Sequence, residues 1–152
     1  MDEKQLYPLC MESSTLRRDT AWAMSQENVE IVRRVHDAYA QGDFQTSMSC
    51  FDPDVEFSPP SFQPGASIYH GHEGVRRATA IWVGTWEEFR MEVEELTDLG
   101  EHVLARVHEH GRGKGSGVEV DRQLFQLRDQ KIVRLRMFED RHEALKAAGL
   151  SE

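Results

Sequence analysis

Cysteine is scarce in this 152-residue sequence, which contains only Cys10 and Cys50. Small secreted folds stapled by disulfides carry many more, so a disulfide framework is not expected and a reducing cytoplasm fits. Long apolar runs are also missing. No stretch approaches the roughly 18 residues of a membrane-spanning helix, and residues 1–24 lack the apolar block of a secretion signal. Positive charge is in deficit, with 18 Lys and Arg against 27 Asp and Glu and a net charge of −9. Nucleic-acid phosphates and anionic membrane surfaces both require a basic stripe, so neither is an expected partner. Small neutral or cationic molecules remain.

The composition that is present, 39% hydrophobic and 30% charged, is that of a soluble globular protein of one domain. Residues 1–24 show no sustained periodicity and end in Met24 just before a helix-start signal. They are expected to be a tail or extension preceding a domain over 25–152. Ser25 is expected to cap a helix to about Gln41, with Val29, Val32, Val35, His36 and Tyr39 on one buried stripe. Gly42 ends it, and Asp43 caps a short second helix that stops at Asp52-Pro53-Asp54. Val55–Ser58 reads as a strand, and "SPPSFQPG" reads as a loop because its three prolines cannot sit in a sheet ladder.

A further helix is expected from Gly74 to Glu88, with Val75, Ala78, Thr79, Trp82 and Trp86 on one stripe. The period then changes to two: Phe89, Met91 and Val93 alternate with charged residues, "DLGE" turns, and Val103, Ala105 and Val107 continue the pattern. "GRGKGSG" is a hairpin connection and not a phosphate loop, since it lacks the lysine spacing and the following helix. Strands at about Val118–Arg128 and Lys131–Glu139 meet at Asp129-Gln130, and a short helix ends at Gly149. Helices followed by a run of four long strands define an α+β fold.

Five strings, "SQENVEIVRRVHDAYAQGD", "DPDVEF", "YHGHEGVRR", "GRGKGSGVEV" and "RDQKIVRLRMFEDRHEALKAAGL", are spread from residue 25 to residue 150 and together span nearly everything but the tail. In them the chain resembles the SnoaL-like domains of the nuclear transport factor 2-like superfamily, related to polyketide cyclases and ketosteroid isomerases. The resemblance implies a curved antiparallel sheet wrapped around N-terminal helices, cone-shaped, with an internal pocket for a small hydrophobic molecule. It also implies a homodimer formed through the outer face of the sheet. The family spans enzymes and non-catalytic binding domains, so the fold alone names no reaction.

Ketosteroid isomerases of this kind use a tyrosine, a protonated aspartate and an aspartate base, an arrangement among the general examples of pKa tuning. Aligned by the local strings, the tyrosine position falls on Val35 and the base position on Pro59. The buried aspartate falls on Arg122 or, with a shift of one residue, on Gln123. The catalytic aspartate of limonene epoxide hydrolases lands near Met137. Neither chemistry is supported.

Other groups could still move a proton. If Asp129-Gln130 is a two-residue turn, Val120, Arg122, Leu124 and Gln126 share a face with Val133, Leu135, Met137 and Glu139, and this more apolar face should cover the helices. Arg122 and Glu139 are then polar neighbours near the pocket, either a rim ion pair or ligand contacts. Asp121 would point outwards unless a bulge turned it in. His36, on the buried stripe, is either a satisfied core residue or a proton carrier easily tuned to neutral pH. Tyr39, Phe57, Phe62, Trp82, Trp86 and Met137 are expected to wall the pocket or to pack as core.

Two His-x-His pairs, His70/His72 and His108/His110, raise a metal site as a rival, with Glu73 and Glu109 nearby. Arg76 and Arg77 stand where a further carboxylate is wanted, and Arg106 shares the strand face of His108 and His110, so no metal is expected. The expected protein is a cofactor-free isomerase, cyclase or lyase using Asp121, Glu139 or His36 as proton carrier with Arg122 steadying charge, or else a binding domain without chemistry.

Overall fold

Residues 13–59, 67–84, 86–113 and 118–150 are described by the computed structural model. Helix α1 (Ser13–Ala40) starts well before Ser25, because nothing from residue 13 to 24 is a glycine or proline that would interrupt it. Ser25 is therefore not a cap. Its hydroxyl donates to Asp98 Oδ2 at 2.7 Å and ties the helix to a distant turn, helped by Asn28 Nδ2 donating to the Gly100 carbonyl at 3.1 Å. Ile31, Val32, Val35, His36 and Ala38 form the buried face. Gly42, at φ 80°, ends the helix in the left-handed region.

Helix α2 (Phe44–Ser49) is capped by Asp43, whose Oδ1 accepts from the Thr46 amide at 3.2 Å. Strand β1 (Phe51–Ser58) is longer than expected. It begins before Pro53, and an irregularity in its pairing between Phe51 and Glu56 accommodates a residue with no N–H to give. Strand β2 (Tyr69–His70) leads into α3 (Gly71–Val83). A Cβ on Gly74 would lie 3.1 Å from Tyr69, so the glycine permits the close approach of helix and strand.

Helix α3 stops at Val83, ahead of Gly84, so Trp86 is not on the helix of Trp82; it is the first residue of β3 (Trp86–Asp98). Strands β4 (His102–Gly113), β5 (Val118–Arg128) and β6 (Lys131–Phe138) follow, then α4 (Arg141–Ala147). The sheet order is β2-β1-β6-β5-β4-β3. It is mixed: β1 runs parallel to β6, and the other pairs are antiparallel. The sheet curves and stays open, and side chains from β1 and β3–β6 converge on one interior. The fold is α+β, with helices α1–α3 closing the concave side.

Asp129 and Gln130 form the two-residue turn, both at positive φ (51° and 66°), as a type I′ hairpin requires. The face assignment drawn from that turn nevertheless fails for β5, while Leu135 and Met137 of β6 do face the interior. Leu127 pairs with Ile132, but Gln126 pairs with Arg134, which leaves Val133 as an extra, bulged residue. Beyond it Phe125 stands opposite Leu135 and Gln123 opposite Met137 on the interior side. Arg122, Leu124 and Gln126 lie on the other side with Arg134 and Arg136. The main core joins Val32, Val35, Val55, Val103, Ala105, Val107, Phe125 and Ile132. Leu124 packs instead with Leu104, Ala144 and Leu145 in a second cluster beneath α4.

Candidate functional site

The concave side of the sheet encloses a cavity of about 890 Å³, walled largely by apolar and aromatic groups. Tyr39, Phe57, Trp82 and Met137 line it, joined by Phe89, Met91 and Phe125. Phe62 lies outside the described residues, as does the side chain of Trp86. Val35 and Pro59, where the resemblance called for tyrosine and base, both line the cavity with side chains that hold no proton.

Gln45, Ser47, Ser49, His72, Arg76 and Thr79 also line the cavity, and two hydrogen-bonded polar pairs lie in its wall. The first joins helix α1 to β5. His36, 8% exposed, has Nε2 at 2.7 Å from Gln123 Oε1 and Nδ1 at 2.9 Å from the Val32 carbonyl. Burial draws its pKa below the usual histidine value, against the opposing pull of the Gln123 and Val32 contacts, so the neutral ring is favoured at neutral pH. Gln123 Nε2 is flanked by the sulfurs of Met91 and Met137 at 3.8 and 4.0 Å. Of the two positions proposed for the family's buried aspartate, the bulge turns Gln123 inward and Arg122 outward.

The second pair joins α3 to β4. Glu109 is 2% exposed, and its Oε2 accepts from the Trp82 indole N–H at 3.2 Å. Burial raises the pKa of Tyr39, and the charge of Glu109 raises it further, so the phenol stays protonated. Glu109 continues the inward stripe of Val103, Ala105 and Val107. Strand alternation could have assigned it to the cavity from sequence, but the histidines on either side directed attention to a metal.

The remaining candidates are dispersed. Arg122 donates from Nη1 to the Glu139 backbone carbonyl at 3.3 Å, and the exposed Glu139 lies past the end of β6, so neither reaches the cavity. For Arg122 the one-residue slip at Val133 is the cause. Asp121 stands opposite Val107 in the ladder, and its side chain is outside the described residues. His108 Nε2 and Arg106 Nε contact Glu94 at 2.8 and 3.2 Å, and His110 Nε2 lies 3.3 Å from Glu92, a cross-strand charge array on the outer face. His72 Nε2 bonds the Phe51 carbonyl at 2.8 Å, while His70 precedes α3 with no side-chain cap. Among the described residues no three His, Cys, Asp or Glu side chains converge as metal ligands. No helix among them is long and apolar enough to cross a membrane.

The SnoaL-like domain profile matches residues 32–135, more than half of the sequence, and the chain belongs to that family. No curated protein matches in sequence. Among solved structures it is similar to TerC co-crystallised with polyporic acid, with a TM-score of 0.65, 19% identity, and coverage of 75% of this chain and 92% of that one. A SnoaL-like protein of Jannaschia sp. CCS1, named for polyketide cyclase activity, gives 0.64 and 23%, over 76% and 86%. A protein of Catenulispora acidiphila DSM 44928 with a ketosteroid isomerase-like fold, in complex with trimethylamine, gives 0.60 and 18%, over 80% and 93%. At these identities the likeness is one of fold.

Proposed function

We propose that the cavity receives a small, largely apolar molecule and that Glu109 moves a proton on it. The observation that carries this reading is a carboxylate 2% exposed to solvent at the wall of an apolar cavity of about 890 Å³. Away from water a carboxylate is a stronger base towards an acidic O–H or C–H group than it is in bulk solution. Trp82 N–H steadies one of its oxygens, and the protonated Tyr39 hydroxyl can donate to negative charge developing on the substrate. This is the chemistry of a cofactor-free isomerase, cyclase or lyase. The co-crystallisation of TerC with polyporic acid supports a small-molecule ligand.

A second reading, ligand binding without chemistry, is favoured by Val35 and Pro59, which leave the isomerase positions without a proton-carrying group. One experiment separates the two. Wild-type protein and Glu109→Gln are incubated with a small-molecule extract of the producing cells and followed by untargeted mass spectrometry, with native spectra for bound ligand. A compound consumed by wild type and left intact by Glu109→Gln is the expected result. A compound bound by both and altered by neither establishes binding alone.

A further inference from the structure

We propose that the Gln123 carboxamide selects the ligand, and that the proton on His36 decides whether it selects a hydrogen-bond donor or an acceptor; this rests on the cavity being a small-molecule site. Gln123, 7% exposed, lines the cavity together with His36, Met91 and Met137. Its Oε1 faces His36 Nε2 at 2.7 Å, and its Nε2 faces the sulfurs of Met91 at 3.8 Å and Met137 at 4.0 Å. Its side chain has no other hydrogen-bonding partner among the described residues. A thioether is a weak acceptor and no donor, so the end of the amide turned away from His36 is buried without a full partner. Methionine side chains are flexible enough to swing aside for a ligand atom.

Helix α1 determines which end of the amide that is. Nδ1 of His36 lies 2.9 Å from the Val32 carbonyl and donates to it, so Nε2 has a hydrogen to give only in the imidazolium. In that state Nε2–H donates to the amide oxygen, and the NH2 group faces the two sulfurs, open to a carbonyl or ether oxygen of the ligand. In the neutral ring Nε2 accepts from an amide N–H. The amide oxygen is then turned to the sulfurs, which offer it no donor, and an O–H or N–H group of the ligand supplies one. Burial favours the neutral ring, so at neutral pH the ligand class is an apolar aromatic molecule bearing a donor. The linkage is reciprocal: an acceptor ligand draws a proton onto His36, and a donor ligand opposes one. Asp37, the neighbour of His36 on α1, favours the imidazolium. The residues packed on the pair from other elements, Phe125 on β5, Met91 on β3 and Met137 on β6, carry no charge. The other ionisable groups along the cavity are Tyr39 further along α1, Glu109 on β4, and His72 and Arg76 on α3.

Fluorene, carbazole and fluorenone share a tricyclic frame and carry, in turn, no hydrogen-bonding group, an N–H donor and a carbonyl acceptor. Each is titrated into the full chain at about pH 8 and about pH 5.5, on either side of the ordinary histidine value. At the higher pH carbazole should bind about tenfold more tightly than fluorene. On acidification fluorenone should gain on carbazole, and its binding should take up protons. Gln123→Met should level the three compounds at both pH values. His36→Phe should remove the pH dependence of the preference, whereas a dependence that arises from Glu109 would persist in that variant. The wild-type series decides the matter even where a variant does not fold. Equal binding of the three at both pH values overturns the proposal and leaves the cavity as an apolar site. A preference that does not move with pH overturns it as well. If none binds, the small-molecule reading falls and this proposal falls with it.

Discussion

The imidazole of His36 and the carboxamide of Gln123 meet 2.7 Å apart across the interior, and the ring's other nitrogen faces the Val32 carbonyl at 2.9 Å. Nδ1–H donates to that carbonyl. In the imidazolium Nε2 is a donor and meets the amide oxygen, the atom it faces at 2.7 Å; in the neutral ring it is an acceptor, and the carboxamide must turn to offer it the amide N–H instead. The carboxamide can serve either charge state by rotating, so burial, not loss of a partner, sets the balance.

This has a sign in stability. The folded pKa of His36 is lowered from 6.5, so its contribution is complete above about pH 6.5 and is lost as pH falls towards the folded value, because the unfolded chain takes up a proton that the folded chain refuses. His102, also lowered by burial, acts in the same direction, so the informative quantity is a difference. Urea unfolding from about pH 8 to about pH 5.5 should show a steeper loss for wild type than for His36→Phe. Equal slopes would remove His36 from the account.

The contact between Trp82 and Glu109 is expected to be coupled. Trp82→Phe removes the indole N–H and should cost about 1–3 kcal/mol, since a buried carboxylate loses a donor. Combined with Glu109→Gln in a double-mutant cycle, the coupling energy should exceed about 0.5 kcal/mol. A cycle that closes at zero would mean that the 3.2 Å contact contributes nothing.

Neighbouring residues on β5 should separate stability from binding. Leu124, 0% exposed, faces α4, and Phe125, 1% exposed, faces the cavity. Leu124→Ala should cost about 2–5 kcal/mol and leave the affinity for a cavity ligand unchanged. Phe125→Ala should cost about 3–5 kcal/mol and alter the affinity as well. Matching effects of the two on ligand affinity would contradict the assignment of faces.

Gln130 adopts φ 66°, a conformation that glycine enters without strain. Gln130→Gly should raise stability by about 0.5–1 kcal/mol in a thermal melt, in spite of losing an exposed hydrogen bond to Glu27. A lower melting temperature would show that this contact outweighs the turn.

Periodicity carried much of the architecture. Strands β3–β6, the Asp129-Gln130 turn and the Asp43 cap follow from local chemistry that acts within a few residues. The boundaries that shifted depended on weaker signals. Helix α1 extends over residues 13–24 because no residue there breaks it, while α3 ends at Gly84 although Trp86 fits the next helical position. The site was half legible: His36 was visible on its stripe, and Glu109 lay in the alternation of Val103, Ala105 and Val107 behind two conspicuous histidines. The inward turn of Gln123 was not, because a bulge is selected by the packing of two faces at once and leaves no mark in a period of two.

Val133 also determines where the chain tolerates a change in length. Its removal would flatten the bulge and leave Leu135 opposite Phe125 and Met137 opposite Gln123, so the cavity would keep the same wall. Removing Arg136 instead would either turn Met137 outward or, by flattening the bulge, turn Arg134 inward. Among relatives of this protein, single-residue gaps in the last hairpin should therefore gather at the position of Val133, the spare residue that lets this segment drift in length while the side chains facing the cavity stay constant.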